Sequence, residues 1–372
     1  GYGTQRRKDV TGSVSKISGE KVKDLPVQSF EQALSGRAAG VSVTLPNGVL
    51  NAAPVIRVRG VNSISLSTFP LVVIDGVPSF SGDAGNSAAN NVLSDINPAD
   101  IESVEVLKDA AAAAIYGSRA SAGVVLVTTK KGKQGKAKVS YDTWVGFTKP
   151  FNLVPLLDGR EFELIKNEGL TNVGTPPNGT TRGFYPYIGL DGKPVNTNWY
   201  DVVYRQGTSH NHSISVGGAN DRTNYYFSAG FSKQKGMIVN NDFKRLTTTM
   251  TLEHKVNSRF TVGGKFQYST SKNNGLNSGS LPGQAFNTSG VGRLAFNLMP
   301  NVPAYLNNGA YNINTVNNAI GQAGNLTALQ FTNPKFLIDR NIFTSENDRV
   351  MASMYGTVKI FEGLAFKMLF GV

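Results

Sequence analysis

Cysteine is absent from this 372-residue chain, and histidine occurs only three times, at His210, His212 and His254. The first absence excludes disulfides, thiolate metal centres and cysteine nucleophiles. The second leaves few ligands for a zinc site: His210 and His212 point the same way if they share a strand, as lumen or rim residues would, but too few further ligands accompany them. No Ser, His and Asp grouping and no Gly-x-Ser-x-Gly elbow marks an enzyme, and nothing in the pattern calls for a nucleotide, cofactor or metal. No run of 18 apolar residues exists, so a transmembrane helix is excluded and a membrane role must come from a β-barrel or from surface attachment. Basic helices, zinc motifs and aromatic-rich RNA-binding strings are also missing. The net charge of +12 therefore points to anionic lipid headgroups or acidic substrates rather than nucleic acid. The sequence opens without a signal-peptide pattern, and the start at Gly1 without Met predicts a processed or truncated product whose export signal lies outside it.

What is present reads as folded. Hydrophobic residues make up 40% and charged residues 17%, enough for two domains with a substantial core. The stretch from Ile101 to Lys130 organises the first of them. Val104 and Val106 alternate with Glu105 and Leu107 as in a strand, and Asp109 stands where an N-cap belongs. Ala110 to Ala114 follow as a helix, Gly117 is placed to stop it, and Gly123 opens an apolar run, Val124 to Val127, of the buried-strand kind. Upstream, the spacing predicts strands over 11–17, 41–45, 55–58 and 71–74, and a helix over 30–34 with Ser29 as its cap and Gln32 three residues on. Asp75-Gly76 reads as a tight turn, and residues 79 to 91 as a long polar loop. Residues 1–133 thus form an α+β domain.

From residue 134 to 372 the pattern is almost purely β. After a basic, glycine-containing connector at 130–136, seven stretches alternate: 139–147, 212–217, 225–232, 246–253, 260–269, 350–360 and 364–370. Short connections such as Gly218 to Asp221, Val256 to Ser258 and Glu362-Gly363 make antiparallel hairpins, whereas 150–206 and 272–348 are long and rich in Asn, Gly, Pro and Thr. Short turns at one end and long loops at the other is the membrane-barrel pattern. Seven strands cannot close such a barrel around a domain of this size, which predicts further sequence beyond Val372.

Four ordered strings carry a resemblance: Gly-Tyr-Gly-Thr-Gln at 1–5, Ile-Arg-Val-Arg-Gly at 56–60, Pro-Leu-Val-Val-Ile-Asp-Gly-Val-Pro at 70–78, and Glu-Ser-Val-Glu-Val-Leu-Lys-Asp with Ala-Ile-Tyr-Gly-Ser-Arg-Ala after it. The chain resembles the plug of TonB-dependent outer-membrane transporters, in the SusC/RagA branch. That resemblance implies an α+β plug followed by antiparallel transmembrane β-barrel strands, with about 22 strands in the closed barrel. It further implies location in the bacterial outer membrane, TonB with its energising complex as a partner, a SusD-like surface lipoprotein over the loops, contact with outer-membrane lipid, possible oligomers, and import of an oligosaccharide or peptide. A TonB box is expected just upstream of Gly1. A siderophore or cobalamin receptor, and a non-transporting plugged barrel used as a surface or structural protein, are the alternatives.

The candidate site residues follow from the same strings. Arg57 and Arg59 project from one face of a strand, and Gly60 permits a sharp change of direction. In plugs of the family the matching arginines face acids of the barrel wall, so Arg57, Arg59 and Arg119 are the expected latch; as solvated arginines of an edge strand they would have no such role. Asp75, Gly76, Glu102, Glu105, Lys108, Tyr116, Gly117 and Gly123 complete the motif, with Glu102, Glu105 and Lys108 readable as ordinary strand-end charges and Asp75 as a turn residue. Substrate-binding residues are not assigned.

Overall fold

Four consecutive β-branched or leucine residues, Leu71 to Ile74, form a strand buried on both faces, and the first sheet is built around it. The computed structural model describes residues 14–372 apart from 46–47, 62–68, 86–88, 110–112, 276–289, 315–318, 322–324 and 327–331. The first sheet has five strands in the order β1 (Val14–Ser18), β6 (Ile101–Leu107), β7 (Val124–Thr129), β4 (Leu71–Ile74) and β5 (Val77–Ser79). β4 and β7 run parallel, and the remaining pairs are antiparallel. A separate hairpin joins β2 (Val41–Thr44) to β3 (Val55–Val58). Burial follows the alternation: Val104, Val106, Val125 and Val127 pack with Phe30, Leu34 and Ile56 on one face, and Leu71, Val73, Leu107 and Val124 on the other. The expected strands are present, the first of them shortened to Val14–Ser18 with residues 11–13 outside the described set.

Two local expectations change. The stretch from 30 to 34 forms only a single 3-10 turn, Gln32–Leu34, preceded by Glu31 rather than capped by Ser29. The Gln32 side chain instead accepts from the Gln28 amide at 3.3 Å, which closes a turn without propagating a helix. A short helix, α1 (Gly19–Lys23), stands directly after β1. The alanine helix lies partly outside the described residues; Ala114–Tyr116 and Ser118–Ala120 are 3-10 turns separated by Gly117, whose φ is +71°.

The second sheet is a seven-stranded antiparallel meander. It contains β8 (Gly135–Thr148), β9 (Gly207–Ala219), β10 (Thr223–Lys235), β11 (Asp242–Lys255), β12 (Phe260–Gly275), β13 (Phe343–Phe361) and β14 (Leu364–Gly371), each paired with its sequence neighbours. Its two faces differ in chemistry. One, carrying Ser228, Thr247, Thr249, Gln267, Ser269 and Asn273, is buried against the first sheet's unit; the other leaves large apolar side chains exposed, among them Tyr141, Phe147, Ile214, Phe227, Met250, Phe266 and Met354. Polar residues inside and a contiguous apolar band outside invert the soluble pattern and suit a lipid-facing wall.

The long connections are not structureless. Between β8 and β9 lie α2 (Gly159–Asn172), opened by a capping box of Asp158 and Glu161, and α3 (Trp199–Val203). Between β12 and β13 lie α4 (Val291–Asn297) and α5 (Pro334–Arg340). Trp199 is buried with Val203, Leu294, Leu298 and Ile338, and Val49 and Ala89 of the first unit join the same cluster. The indole donates to the Met299 carbonyl at 2.9 Å. The periodicity within 159–172 had been hidden by its polar, largely exposed surface.

Candidate functional site: the interface between the two sheets

The buried face of the meander meets the first unit through charge. Lys265, on β12, reaches Asp75 at 2.5 Å, both side chains being largely shielded from solvent. Asp75 also accepts from the Thr129 amide at 3.0 Å and the Thr129 hydroxyl at 2.7 Å, while Lys265 donates to that hydroxyl at 3.0 Å. The backbone explains the placement. Asp75 and Gly76 occupy the two-residue hairpin between β4 and β5, with φ of +49° and +91°, the left-handed geometry such turns require. Asp75 is therefore both the turn residue that the sequence suggests and the receptor for a cation from the wall. Burial pushes its carboxyl up, but the charge of Lys265 and the hydrogen bonds from Lys265 and Thr129 together outweigh this and leave its pKa below the ordinary carboxylate value.

Two further carboxylates of the first unit repeat the arrangement. Asp100 accepts from the Tyr226 hydroxyl at 2.9 Å and from Thr249 at 3.0 Å, on β10 and β11. Asp95 accepts from Ser271 at 2.8 Å and from the Asn347 amide, and the charges of Arg349 and Arg245 act on it. Burial dominates at Asp95 and pushes its carboxyl up despite these donors. Arg245 itself is 4% exposed. Its guanidinium donates to the Gln28 carbonyl at 3.1 Å and to the Ser94 carbonyl, with the Ile96 carbonyl at 3.5 Å. Arg349 donates to the Val92 carbonyl at 2.9 Å and the Ser79 hydroxyl at 2.7 Å. At the rim, Lys23 pairs with Asp142 at 3.2 Å.

Near the long loops the contacts are neutral. Asn241 accepts from the Leu50 amide at 2.8 Å and donates to the Asn274 carbonyl at 3.0 Å. Asn273 donates to the Ala89 carbonyl at 2.8 Å. At the opposite end, the connector between the sheets is fastened to the start of β10, where Asn224 both accepts from the Gly132 amide and donates to the Gly132 carbonyl. A Cβ at residue 132 would lie 2.1 Å from the Gly218 carbonyl oxygen, so the approach requires glycine.

The comparisons with known proteins decide what this pairing of sheets belongs to. The TonB-dependent Receptor Plug Domain model matches residues 6–124. TonB-dependent receptor P3 of Formosa agariphila is 33% identical over 374 residues, covering all of this chain and 33% of the relative. TonB-dependent receptor SusC of Bacteroides thetaiotaomicron is 35% identical over 315 residues, or 84% of this chain and 29% of that protein. The chain belongs to the SusC/RagA-like TonB-dependent receptors. It spans about a third of the length of these curated relatives. The structure of the RagAB peptide importer in the 'open-open' state superposes with a TM-score of 0.79 at 25% identity, covering all of this chain and 41% of that one.

Within this receptor the first unit is the plug and the meander is barrel wall. The sequence-derived latch residues take other places from the buried contacts. Arg59 has a φ of +58°, so the chain turns one residue before Gly60, and its guanidinium pairs with Asp109 of the plug itself. Arg57 and Arg119 are exposed. Glu105 pairs with Lys16 at 2.8 Å, Glu102 with Lys133 at 3.2 Å, and Lys108 donates to the Ala39 carbonyl at 2.8 Å. Tyr116 packs beside Leu71, Val73 and Val124, and Gly60 and Gly123 carry positive φ. The buried wall cations Arg245, Lys265 and Arg349, and the acids Asp95 and Asp100, escaped the sequence reading. The signal that could have found the cations was their position: each interrupts the buried polar parity of an otherwise alternating strand. His210 and His212 stand on the outer face of β9 near the loops, in step with Ile214, and not in the lumen.

Proposed function

We propose that the whole protein is a TonB-dependent importer of the bacterial outer membrane, in which residues 1–133 form the plug, 134–372 begin the barrel, and TonB remodels the plug to open a path for a nutrient. The observation that carries the reading is the interface: a plug held to its wall by the shielded Asp75–Lys265 ion pair and a set of buried hydrogen bonds rather than by an apolar core. Such contacts can be resolvated when the plug moves, whereas breaking any one of them without water costs several kcal/mol, about 3–5 for a buried pair. This is the behaviour wanted of a closure that holds at rest and yields to force.

The long-loop end, where α2 to α5 and Trp199 form a packed cap, is on this reading extracellular and receives the substrate. Similarity to SusC and to the RagAB peptide importer supports an oligosaccharide or a peptide as cargo and a SusD-like surface lipoprotein as partner. The arginines keep a place in the proposal: Arg57 and Arg119, both exposed, are offered to acids of barrel strands that this chain does not contain, while Arg59 pairs with Asp109. The test is uptake of labelled oligosaccharides and peptides by cells carrying the full-length gene, with and without TonB. TonB-dependent uptake of one class is expected. Equal uptake in both strains would overturn the coupling, and no uptake of either class would favour the surface-protein alternative.

A further inference from the structure

The outer face of the wall carries four lysines on β9 to β13, Lys233, Lys235, Lys244 and Lys272, and all lie within three residues of the loop end of their strands. The register sets three of them side by side. His210 faces Lys233, Lys233 faces Lys244, Lys244 faces Lys272, and Lys272 faces Glu346, so one straight row crosses five strands. Like charges directly opposite on neighbouring strands destabilise a sheet, and here two such pairs are consecutive. Among the described residues, Lys272 is the one lysine of the row with an acid partner, Glu346 at 2.6 Å; the nearby Asp242 is taken by Arg205 at 2.9 Å. Lys233 and Lys244 are exposed, and the Lys244 ammonium lies 5.8 Å from the centre of the Phe231 ring. One step further from the loops the same face carries His212, Phe231, Leu246 and Thr270, and beyond them the apolar band. At the other end, the corresponding row is Thr223, His254, Val262, Gly356 and Met368, without a lysine.

We infer that this row is a binding site for the phosphate groups of a phosphorylated glycolipid in the outer leaflet, seated where its acyl chains can follow the apolar band. Neighbouring strands lie about 4.8 Å apart, so two adjacent ammonium groups can close on one phosphate and three can engage two. An anion between the lysines converts the repulsion of the row into attraction, and the Phe231 and Leu246 side chains below it match the start of the acyl region. The assignment of the leaflet rests on the orientation proposed above, with the loops outside.

The test uses the full-length protein in nanodiscs of phosphatidylcholine, alone or doped with diphosphorylated lipid A or with the same glycolipid stripped of its phosphates, and counts retained lipid by native mass spectrometry. The wild type is expected to retain the phosphorylated form. The triple variant Lys233→Gln, Lys244→Gln, Lys272→Gln should bind it at least about tenfold more weakly. A charge-matched variant at the opposite end, Lys138→Gln, Lys255→Gln, Lys359→Gln, should bind as the wild type does. No preference in the wild type, or an equal loss in both variants, would overturn the site. Separately, Leu190→Cys in the exposed loop should react with an impermeant maleimide on intact cells; failure to react would overturn the orientation, and with it the outer-leaflet source, without depending on the lipid measurement.

Discussion

Replacing Lys265 by Met isolates the contribution of one wall cation. Methionine keeps the length and most of the packing of the stem but removes the ammonium that lies 2.5 Å from Asp75. The carboxylate then keeps only the amide and hydroxyl of Thr129, at 3.0 and 2.7 Å, in a site where it is largely hidden from water. Breaking a buried pair on one side costs about 3–5 kcal/mol. Since 1.36 kcal/mol corresponds to a factor of ten, the population with the β4–β5 turn detached from the wall should rise by roughly two to four orders of magnitude. Amide hydrogen exchange in full-length protein reads this directly at Thr129 and at the turn, and sensitivity of cells to a bulky antibiotic reads it in the membrane. The double variant Asp75→Asn, Lys265→Met removes both charges and should recover much of the loss. Exchange at Thr129 unchanged in the single variant would refute the assignment of Lys265 as a plug anchor. The pH dependence has a defined sign. The pKa of Asp75 is lowered on docking, so its stabilisation is fully present above the ordinary carboxylate pKa of about 3.9 and is lost as pH falls through the lower docked value. The protection of the Thr129 amide, taken relative to its intrinsic exchange rate at each pH, should therefore be flat between neutral and mildly acid pH.

Three other perturbations give different signatures. Glu31, buried in the plug and accepting from Asn91 at 2.6 Å, has its carboxyl pushed up to about 7 by burial. Plug stability should therefore be greatest below the ordinary glutamate pKa of about 4.3 and fall as pH rises through about 7, and Glu31→Gln should remove that dependence, seen as a flat profile of melting temperature against pH. Arg245→Met should free the Ser94 and Gln28 carbonyls, leaving buried acceptors unpaired at about 1–3 kcal/mol each; cells carrying it should be more permeable, and unaltered permeability together with unaltered exchange at Ser94 would count against the anchor. Trp199→Ala should cost about 3–5 kcal/mol to the loop cap, detected as faster proteolysis between 150 and 206 while the wall strands stay protected.

Much of the architecture was legible because it is periodic. The alternation of Phe260, Val262, Phe266 and Tyr268 against Thr261, Gln267 and Ser269 fixed a strand and its two faces, and the Asp75-Gly76 pair fixed a hairpin. What escaped lacks a local signature. The turn at Gln32–Leu34 depends on Gln32 bonding back to Gln28, a choice that the Ser29 cap pattern does not reveal. The helix Gly159–Asn172 presents little apolar stripe, so its period is weak. Asp95 and Asp100 look like ordinary loop acids until Ser271, Asn347, Tyr226 and Thr249 arrive from strands more than a hundred residues away. The paired arginines at 57 and 59 drew attention through their strand spacing and their place in the family's plug strings, and in the structure Arg59 is turned by its positive φ toward Asp109.

The distribution of charge across the interface has a consequence for how the plug can move. The wall supplies Lys265, Arg245 and Arg349, and the plug supplies Asp75, Asp95 and a set of backbone carbonyls. A carbonyl acceptor costs little to expose to water and needs no counter-ion, so Arg245 and Arg349 can release the segment 92–96 to solvent step by step. The Asp75 contact differs, because it joins the wall to the hairpin that extends β4, a strand buried along its whole length and paired with the central strand β7. Force entering the plug sheet at β1 passes through β6 and β7 before it reaches β4. β1 is an edge strand paired with a single neighbour, β6, and the Lys265 anchor holds the far side of the same sheet. On the importer reading proposed above, a plug built this way would lose its first strand while its last hairpin stays fastened to the wall, so that reading predicts partial unfolding rather than expulsion as the opening motion.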